Sequence, residues 1–362
     1  MTKLTIGTRV WNSSLPVHLL AEKLNRHTFW CGQSGSGKTY ALGVLLEQIL
    51  VHTELPVLIL DPNSDFVRLS EVRVDADPSD AEMLERTDTR VLYSTRDGGE
   101  RLHASYLGLS VASRAAVLQL DPVLDAEEYN ALLHTEVDPH VFKDADFLSA
   151  LRASDHPGAG RLATRVENLQ VLNWELWSRG GESATDIIHS RPRATVLDLG
   201  GFTHPDEPKV AALAMLEHLW ATREDHRPVL IVIDEAHNLC PPDPRSQVER
   251  ALTQQLIQIA AEGRKFGLWL LLSTQRPTKV HPNVLSQCDN LCVMRMNAPR
   301  DLAELGEVFG YAPEETLSAA QGFLQGQALF AGGFIDAPTV TQMGPRITEE
   351  GGVDVPVPMR SA

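Results

Sequence analysis

Eight residues near the start of the chain match a phosphate-binding pattern in full: Gly32-Gln33-Ser34-Gly35-Ser36-Gly37-Lys38-Thr39. In the pattern G-x-x-x-x-G-K-[S/T], the glycines let the backbone curl so that consecutive N–H groups point at phosphate oxygens. The lysine reaches the β- and γ-phosphates, and the hydroxyl group that follows it can ligate Mg²⁺. The sequence therefore predicts that residues 32–39, together with Tyr40, bind ATP.

The residues around this loop predict alternating strands and helices. Continuous apolar runs, rather than alternating ones, predict a sheet that is covered on both faces. Such runs occur at residues 28–31, 56–60, 195–199, 229–233, 268–272, 291–294 and 328–331. Helical periodicity follows several of them, which favours parallel strands joined by crossover helices. A flexible Gly-Ser turn is the alternative interpretation, but the loop lies between the first of these strands and an amphipathic helix, as the phosphate-binding pattern requires.

The middle of the chain has a different pattern. Residues 71–189 are predicted to form a mainly helical insert, in which leucines and a valine from Leu162 to Leu176 mark one helical face. Residues 1–70 and 190–335 are predicted to form the α/β core. The tail, residues 336–362, is rich in proline and glycine and shows no clear element, and we interpret it as a segment that could brace a neighbouring subunit.

Composition narrows the class of protein. Of the 362 residues, 43% are hydrophobic and 22% are charged, which excludes wholesale disorder. The net charge of −16 argues against a broadly basic nucleic-acid coat, although it allows DNA to be held at a local basic patch. Four cysteines are too few for a disulfide scaffold, and no apolar run suits a membrane span or a signal peptide. We therefore expect a cytoplasmic protein without a membrane partner.

Two acidic residues follow the apolar run at 229–233. Asp234 is placed to hold Mg²⁺, and Glu235 could polarise a water molecule for in-line attack on the γ-phosphate. An acidic turn after a strand is common by itself, but its combination with the phosphate loop favours a hydrolase. The catalytic pair is thus predicted at the end of a buried strand.

Two further side chains are candidates for catalysis. Gln275 follows another buried run, so it could sense the γ-phosphate at the carboxyl edge of the sheet. Arg264 lies in the turn 262–267, at the end of a predicted helix, where it either caps that helix or serves as an arginine finger for the nucleotide of a neighbouring subunit. The finger interpretation implies an oligomer.

Five segments together resemble the HerA–FtsK group of hexameric DNA-pumping ATPases, and most closely its HerA branch. These segments are the phosphate loop with the preceding Arg26-His27, residues 60–66, residues 233–238, residues 262–267, and residues 273–277 continuing to 285–288. The resemblance covers about residues 5–70 and 190–345. It implies a RecA-like P-loop NTPase fold with a mainly parallel sheet flanked by helices. We expect the chain to lack the N-terminal β-barrel that HerA proteins usually carry.

The resemblance also implies a role for each matching residue. Lys38 and Thr39 bind ATP and Mg²⁺, Asp234 is the second Mg²⁺ partner, Glu235 is the catalytic base, Gln275 is the sensor and Arg264 is the trans finger. The family keeps an acid near the nucleotide at the position of Asp61, although an aspartate that starts a turn before proline is nearly as good an explanation. Arg295 fits a family position to which we assign no chemistry.

The expected function is that of a Mg²⁺-dependent ATPase in a homo-hexameric ring that moves double-stranded DNA through its pore, with an effector or nuclease partner. The alternative is an ATP-switched oligomeric scaffold that assembles or activates an effector, as in phage defence, without processive translocation. Glu235 favours the motor, because a pure switch could dispense with a catalytic base. The acidic net charge and the expected absence of the barrel favour the scaffold.

Overall fold

A single twelve-stranded sheet organises the part of the chain that the structure describes. The computed structural model describes residues 2–94, 99–135 and 146–352. The strands are β1 (Lys3–Arg9), β2 (Asn12–Leu20), β3 (His27–Cys31), β4 (Val57–Asp61), β5 (Thr89–Tyr93), β6 (Glu100–Arg101), β7 (Ala194–Asp198), β8 (Val229–Ile233), β9 (Leu268–Thr274), β10 (Cys288–Met294), β11 (Gln327–Gly332) and β12 (Thr339–Met343). Their order is β2-β1-β12-β11-β10-β3-β9-β8-β4-β7-β5-β6. In this spatial order, the eight neighbouring strands that begin with β10 and end with β6 pair in parallel. On the other side of β10, strands β11, β12, β1 and β2 extend the sheet with antiparallel pairing.

Helices cover both faces of this sheet. They are α1 (Lys38–His52), α2 (Pro78–Glu85), α3 (Val111–Val117), α4 (Ala126–His134), α5 (Asp146–Ala153), α6 (Ala159–Leu169), α7 (Ala184–Ser190), α8 (Glu207–Ala221), α9 (Gln247–Glu262), α10 (Pro282–Leu285), α11 (Pro299–Val308) and α12 (Glu314–Ala319). Alternate residues of β8 point to different cores: Leu230 and Val232 pack with α1, whereas Ile231 and Ile233 pack with α8 and α9. The predicted α/β fold with a mainly parallel, doubly covered sheet is confirmed.

The strand order brings the predicted site residues to one edge. Strand β9 lies between β3, which precedes the phosphate loop, and β8, which precedes Asp234. Because these three strands are parallel, their carboxyl ends meet at the same edge of the sheet. Strand β4, which ends in Asp61, lies beside β8 and also ends there. This edge is where ligands bind in open α/β sheets.

All seven predicted strands are present, and five further strands lack a sequence signal of the same kind. Strands β5 and β6 lie within the segment 71–189 and join the same sheet.

The predicted helical face from Leu162 to Leu176 was wrong beyond Leu169, because Gln170 adopts a left-handed conformation with φ of 51° and ends α6. The apolar residues of this segment pack in the same core as those of β9. Its division from the rest of the chain stays a prediction.

The expectation of a tail without a clear element after residue 336 was wrong. Strand β12 pairs with both β11 and β1 inside the sheet. Its inward positions include Thr339 and Thr341 rather than large aliphatic residues, so the strand shows no apolar run. Residues 353–362 of the predicted tail lie outside the described residues.

Candidate active site

The phosphate loop connects β3 to α1 with two residues in the left-handed region. Gly35 has φ of 72° and Gly37 has φ of 87°, which side chains with a Cβ rarely adopt. A Cβ on Gly32 would lie 2.7 Å from Cβ of Met294, so the loop also needs glycine where it leaves the sheet. Helix α1 begins at Lys38, and its amino-terminal dipole therefore faces the loop.

Residues at the end of β10 hold the loop in place. The backbone N–H of Gln33 donates to the carbonyl of Arg295 at 2.9 Å, and the Gln33 side chain accepts from the N–H of Asn297 at 2.9 Å. The guanidinium group of Arg295 donates to the carbonyl of Gly35 at 2.9 Å. Arg295, which sequence reasoning left without a role, thus fixes the conformation of the phosphate loop.

Lys38 lies at the centre of a buried polar cluster. Its Nζ donates to Oδ1 of Asp234 at 2.7 Å and to Oγ of Ser273 at 2.8 Å, and lies 3.4 Å from Oε1 of Glu235. The Ser273 hydroxyl donates in turn to Oδ1 of Asp234 at 2.6 Å. The structure therefore brings together Lys38, Asp234 and Glu235, and it adds Ser273.

The backbone at Glu235 is strained. Its φ of 44° and ψ of 49° lie in the left-handed region, which costs a residue other than glycine about 1–3 kcal/mol. The conformation turns the chain sharply after β8 and leaves one carboxylate oxygen near Lys38 and the other 3.1 Å from Nδ1 of His237. Burial by itself raises the pKa of Glu235, but the proximity of His237 and the charge of Lys38 outweigh it and lower the pKa. Glu235 is therefore ionised at neutral pH.

Three aspartates meet beside Lys38. One carboxylate oxygen from each of Asp61, Asp65 and Asp234 lies within 4.8 Å of the others, and the Thr39 hydroxyl donates to Oδ2 of Asp65 at 3.5 Å. Among the described residues, the buried Oδ2 of Asp234 has no hydrogen-bond partner. An orphaned carboxylate oxygen beside further carboxylates and a hydroxyl suits a hard cation such as Mg²⁺. Thr39 and Asp234 thus suit such an ion and stay the predicted ligands, and Asp65, which the sequence analysis did not name as a ligand, lies beside them.

Asp61 is engaged by its own turn. Its carboxylate accepts hydrogen bonds from the backbone N–H groups of Asn63, Asp65 and Phe66 at 2.8–3.2 Å. Burial raises the pKa of Asp61 to about 7, against these hydrogen bonds, and burial and the charge of Asp234 raise the pKa of Asp65 to about 6. The turn-forming alternative for Asp61 therefore has direct geometric support, and its catalytic role stays a prediction.

A cavity of about 710 Å³ adjoins the cluster. Gln275, which follows β9, lines it, as do Lys38, Thr39 and Glu235. Seven of the predicted ATP-binding residues line the cavity: Gln33, Ser34, Gly35, Gly37, Lys38, Thr39 and Tyr40. Its other wall comes from the antiparallel part of the sheet, through Gly326 and residues 342–345.

Arg264 lies away from this cavity. It precedes β9 and donates to Oδ2 of Asp289 at 2.5 Å, near the start of β10, so it lies at the amino edge of the sheet. Strand β9 has seven residues and therefore separates Arg264 from Gln275 by about 20 Å. The structure thus places Arg264 beyond reach of the phosphate loop of its own chain.

Sequence reasoning missed three contributors that local patterns signal weakly. Ser273 and Asp65 lie in two of the segments that carry the resemblance, residues 273–277 and 60–66. Their position near the carboxyl end of a strand was the one signal that could have identified them. Asp289 carries no motif, because only the pairing of β10 with β3 brings it close to Arg264.

The fold and this site define a P-loop ATPase with a RecA-like sheet. Residues 4–203, more than half of the chain, match the family model described as helicase HerA, central domain. The chain belongs to this family, which confirms the resemblance.

Named relatives carry the same designation. A DNA double-strand break repair helicase HerA from Sulfurisphaera tokodaii is 24% identical over 359 residues, which cover 91% of this chain and 67% of the relative. A probable DNA double-strand break repair helicase HerA from Methanocaldococcus jannaschii is 30% identical over 129 residues, or 36% of this chain. The latter match covers only 25% of the relative's length.

Solved structures share the fold over most of the chain. VirB4 of Thermoanaerobacter pseudethanolicus superposes with a TM-score of 0.61 at 15% identity, covering 95% of this chain and 96% of that one. The bacterial conjugative coupling protein TrwBdeltaN70 gives a TM-score of 0.55 at 13% identity, covering 96% and 90%. None of the helices in the described part of the chain combines the length and apolar character needed to cross a membrane.

Proposed function

We propose that the cavity binds ATP with Mg²⁺ and that the chain hydrolyses ATP between its β- and γ-phosphates. The loop N–H groups and Lys38 bind the phosphates, while Thr39, Asp234 and Asp65 hold the metal ion. When bound, Mg²⁺ neutralises charge on the phosphate oxygens. Gln275 lines the cavity at the end of β9, and we assign it to the γ-phosphate.

Glu235 is proposed as the general base. It accepts a proton from a water molecule whose oxygen attacks the γ-phosphorus, while the bond between that phosphorus and the bridging oxygen of ADP breaks. The products are ADP and inorganic phosphate. The carboxylate is ionised at neutral pH and can accept a proton, but its lowered pKa makes it a weaker base, so its position beside Lys38 rather than its pKa supports the assignment. The nearby His237 can orient the carboxylate, since its Nδ1 lies 3.1 Å from Oε2.

The proposal of an oligomer depends on the finger role that the resemblance implies for Arg264, together with the distance of Arg264 from the phosphate loop of its own chain. A finger must reach the γ-phosphate, and Arg264 lies about 20 Å along β9 from the edge where its own phosphate loop lies. A second copy could bring its Arg264 to that edge. We therefore propose a ring, with six subunits as the resemblance implies, in which each site combines residues of two neighbours.

We further propose that this ring moves double-stranded DNA through its pore, together with an effector or nuclease partner. The support is family membership and the names of the relatives, which are repair helicases. The test is the ATPase rate with and without double-stranded DNA, with Glu235→Gln as the inactive control. A motor shows at least several-fold stimulation that grows with DNA length. A rate that ignores DNA and responds to a partner protein supports the ATP-switched scaffold instead.

A further inference from the structure

A buried ion pair lies outside the residues used so far. Nε of Arg346 donates to Oε1 of Glu47 at 3.1 Å, and the two side chains are 0% and 1% exposed. Glu47 is on α1, the helix that begins at Lys38, whereas Arg346 follows β12. Because burying two charges costs desolvation energy, such a pair suggests a role in placement rather than in stability.

The pair ties a segment of backbone to α1. We call residues 344–352 the strap. The Glu47 carboxylate also accepts from the N–H groups of Ile347 and Thr348, at 2.8 and 3.0 Å, and from the Thr348 hydroxyl at 2.5 Å. The N–H of Arg346 donates to the hydroxyl of Tyr40, which lies in the first turn of α1, at 2.9 Å. One carboxylate on α1 therefore holds three consecutive residues of the strap.

Helix α1 carries a glycine where the guanidinium group lies. A Cβ built on Gly43 would lie 2.5 Å from Cζ of Arg346 and 2.6 Å from its Nε. Glycine is unfavourable in a helix interior, so the exception at this position has a packing reason. The guanidinium group fits directly against the backbone of α1.

The far end of the strap reaches the metal-binding turn. The N–H of Glu349 donates to the carbonyl of Glu71 at 2.8 Å, and the N–H of Gly351 donates to the carbonyl of Asp65 at 3.0 Å. The strap also lines the nucleotide cavity, through Gly344, Pro345, Glu350 and Gly352. It thus contacts the cavity, α1 and the turn that carries Asp65.

We propose that Arg346 is a positioning residue for the nucleotide pocket. Its ion pair with Glu47 holds the strap against α1 and so fixes the cavity wall and the Asp65 turn relative to Lys38. The inference rests on the proposed function in one respect, that the cavity binds a nucleotide. It requires no contact between Arg346 and the nucleotide.

The test is Arg346→Lys, which keeps the charge but loses the planar fork that reaches Glu47 and Thr348 together. We expect the Kd for fluorescent methylanthraniloyl-ATP to rise ~10-fold, the effect of losing one strong buried contact. KM for ATP rises in parallel, while kcat at saturating ATP stays within about 3-fold of wild type because bound nucleotide restores the pocket. The assay needs no DNA.

Arg193→Lys is the matched control. Arg193 donates to the carbonyls of Leu50 and Thr53 and pairs with Glu54, at the other end of the same helix. Its substitution perturbs α1 without touching the strap, so the Kd stays at the wild-type value. Equal losses of affinity in Arg193→Lys and Arg346→Lys would mean that α1 is merely destabilised, which overturns the inference.

A double variant separates positioning from folding. Glu47→Gln with Arg346→Met removes both buried charges, while the glutamine carbonyl can still accept from an N–H group of the strap, so fewer buried donors lose their acceptor than with two apolar side chains. A wild-type Kd for methylanthraniloyl-ATP, either in the folded double variant or in Arg346→Lys, overturns the inference. Failure of both variants to fold also overturns it, because the pair would then serve stability. If Lys38→Ala binds nucleotide as well as wild type, the proposed function fails instead. Weakened binding in a folded variant, with Arg193→Lys normal, supports the role of Arg346.

Discussion

Nζ of Lys38 and Oδ1 of Asp234 are 2.7 Å apart, although 196 positions separate the two residues in the sequence. Both side chains are buried, and Ser273 hydrogen-bonds to each of them. Burial lowers the pKa of Lys38, but the charges of Asp234 and Glu235 outweigh it and raise the pKa above its usual value. Asp234 and Glu235, which are proposed for metal binding and catalysis, thus keep the ammonium group of Lys38 charged and fix its position.

Lys38→Ala is expected to abolish nucleotide binding. It removes the point charge of the phosphate cradle and leaves Asp234 and Glu235 without their buried counter-ion. We expect the Kd for ATP to rise at least ~10²-fold, since a charge-assisted contact and the charge balance are both lost. Isothermal titration measures this directly.

Lys209→Ala is the matched control for that variant. Lys209 also bridges two acids, Asp206 and Glu249, but away from the cavity. Its removal leaves ATP affinity unchanged. An affinity of Lys38→Ala within a few-fold of wild type contradicts the proposed phosphate site.

Glu235→Gln is expected to bind ATP with near wild-type affinity and to hydrolyse it at least ~10²-fold more slowly, because a positioned general base is lost while the shape is kept. A single-turnover assay with labelled ATP separates the chemical step from product release. Glu304→Gln, which alters a partly exposed glutamate paired with Arg300 on α11, serves as the control with normal turnover. Unchanged turnover in Glu235→Gln would show that the base lies elsewhere.

The central strands and the position of Asp234 and Glu235 at a strand end beside Lys38 could be predicted because their signals are local. The run at 229–233 and the two acids that follow it are contiguous, so one pattern gives both the strand and the site. The phosphate loop is likewise a single segment. Each prediction needed only that parallel strands bring their carboxyl ends together.

The contacts that could not be predicted from the sequence join residues that are far apart in the chain. Glu47 and Arg346 are 299 positions apart, and neither lies in a recognisable motif. Strand β12 has threonines at inward positions, so its apolar pattern is weak. Asp289 is exposed and meets Arg264 only through the order of strands in the sheet. These contacts follow from tertiary packing, which local periodicity does not encode.

His27 is expected to make stability depend on pH. It is buried, its Nδ1 accepts from the N–H of Leu270 at 2.9 Å, and its Nε2 lies 3.0 Å from the carbonyl of Ala260. This geometry fits the neutral ring protonated at Nε2, since a second proton would face the Leu270 N–H. Burial is the main cause that lowers the pKa of His27 from 6.5 to about 4.

The sign follows from proton uptake. Between pH 6.5 and about 4 the unfolded chain binds a proton at this position and the folded chain does not, so stability falls as the pH falls. His27 contributes a loss of about 2 kcal/mol between pH 7.5 and pH 5. Urea unfolding of wild type and His27→Gln at both pH values isolates this term. Parallel pH dependence in the two proteins would contradict the assignment.

Arg264→Ala is expected to abolish ATP hydrolysis while leaving ATP binding to each subunit intact. Arg264 lies at the amino edge of the sheet, held by Asp289, so its proposed target is the site of a neighbour. A finger is worth ~10³–10⁵ in rate, which makes the loss easy to measure in a steady-state assay. Lys265→Ala is the control, because this adjacent exposed residue contacts Glu262 and the ring of Phe266, and the variant keeps normal turnover.

Mixing variants tests whether Arg264 acts between subunits. Lys38→Ala and Arg264→Ala are each nearly inactive alone, but a mixed oligomer contains interfaces in which an intact Lys38 faces an intact Arg264 of the next subunit. ATPase activity should therefore return in part when the two variants are combined before assembly. A tethered dimer with one substitution in each half, arranged so that every second interface is intact, gives the same readout with a fixed share of intact sites. Near-normal hydrolysis by Arg264→Ala alone would assign Arg264 to the helix end and remove the main structural argument for an obligate oligomer.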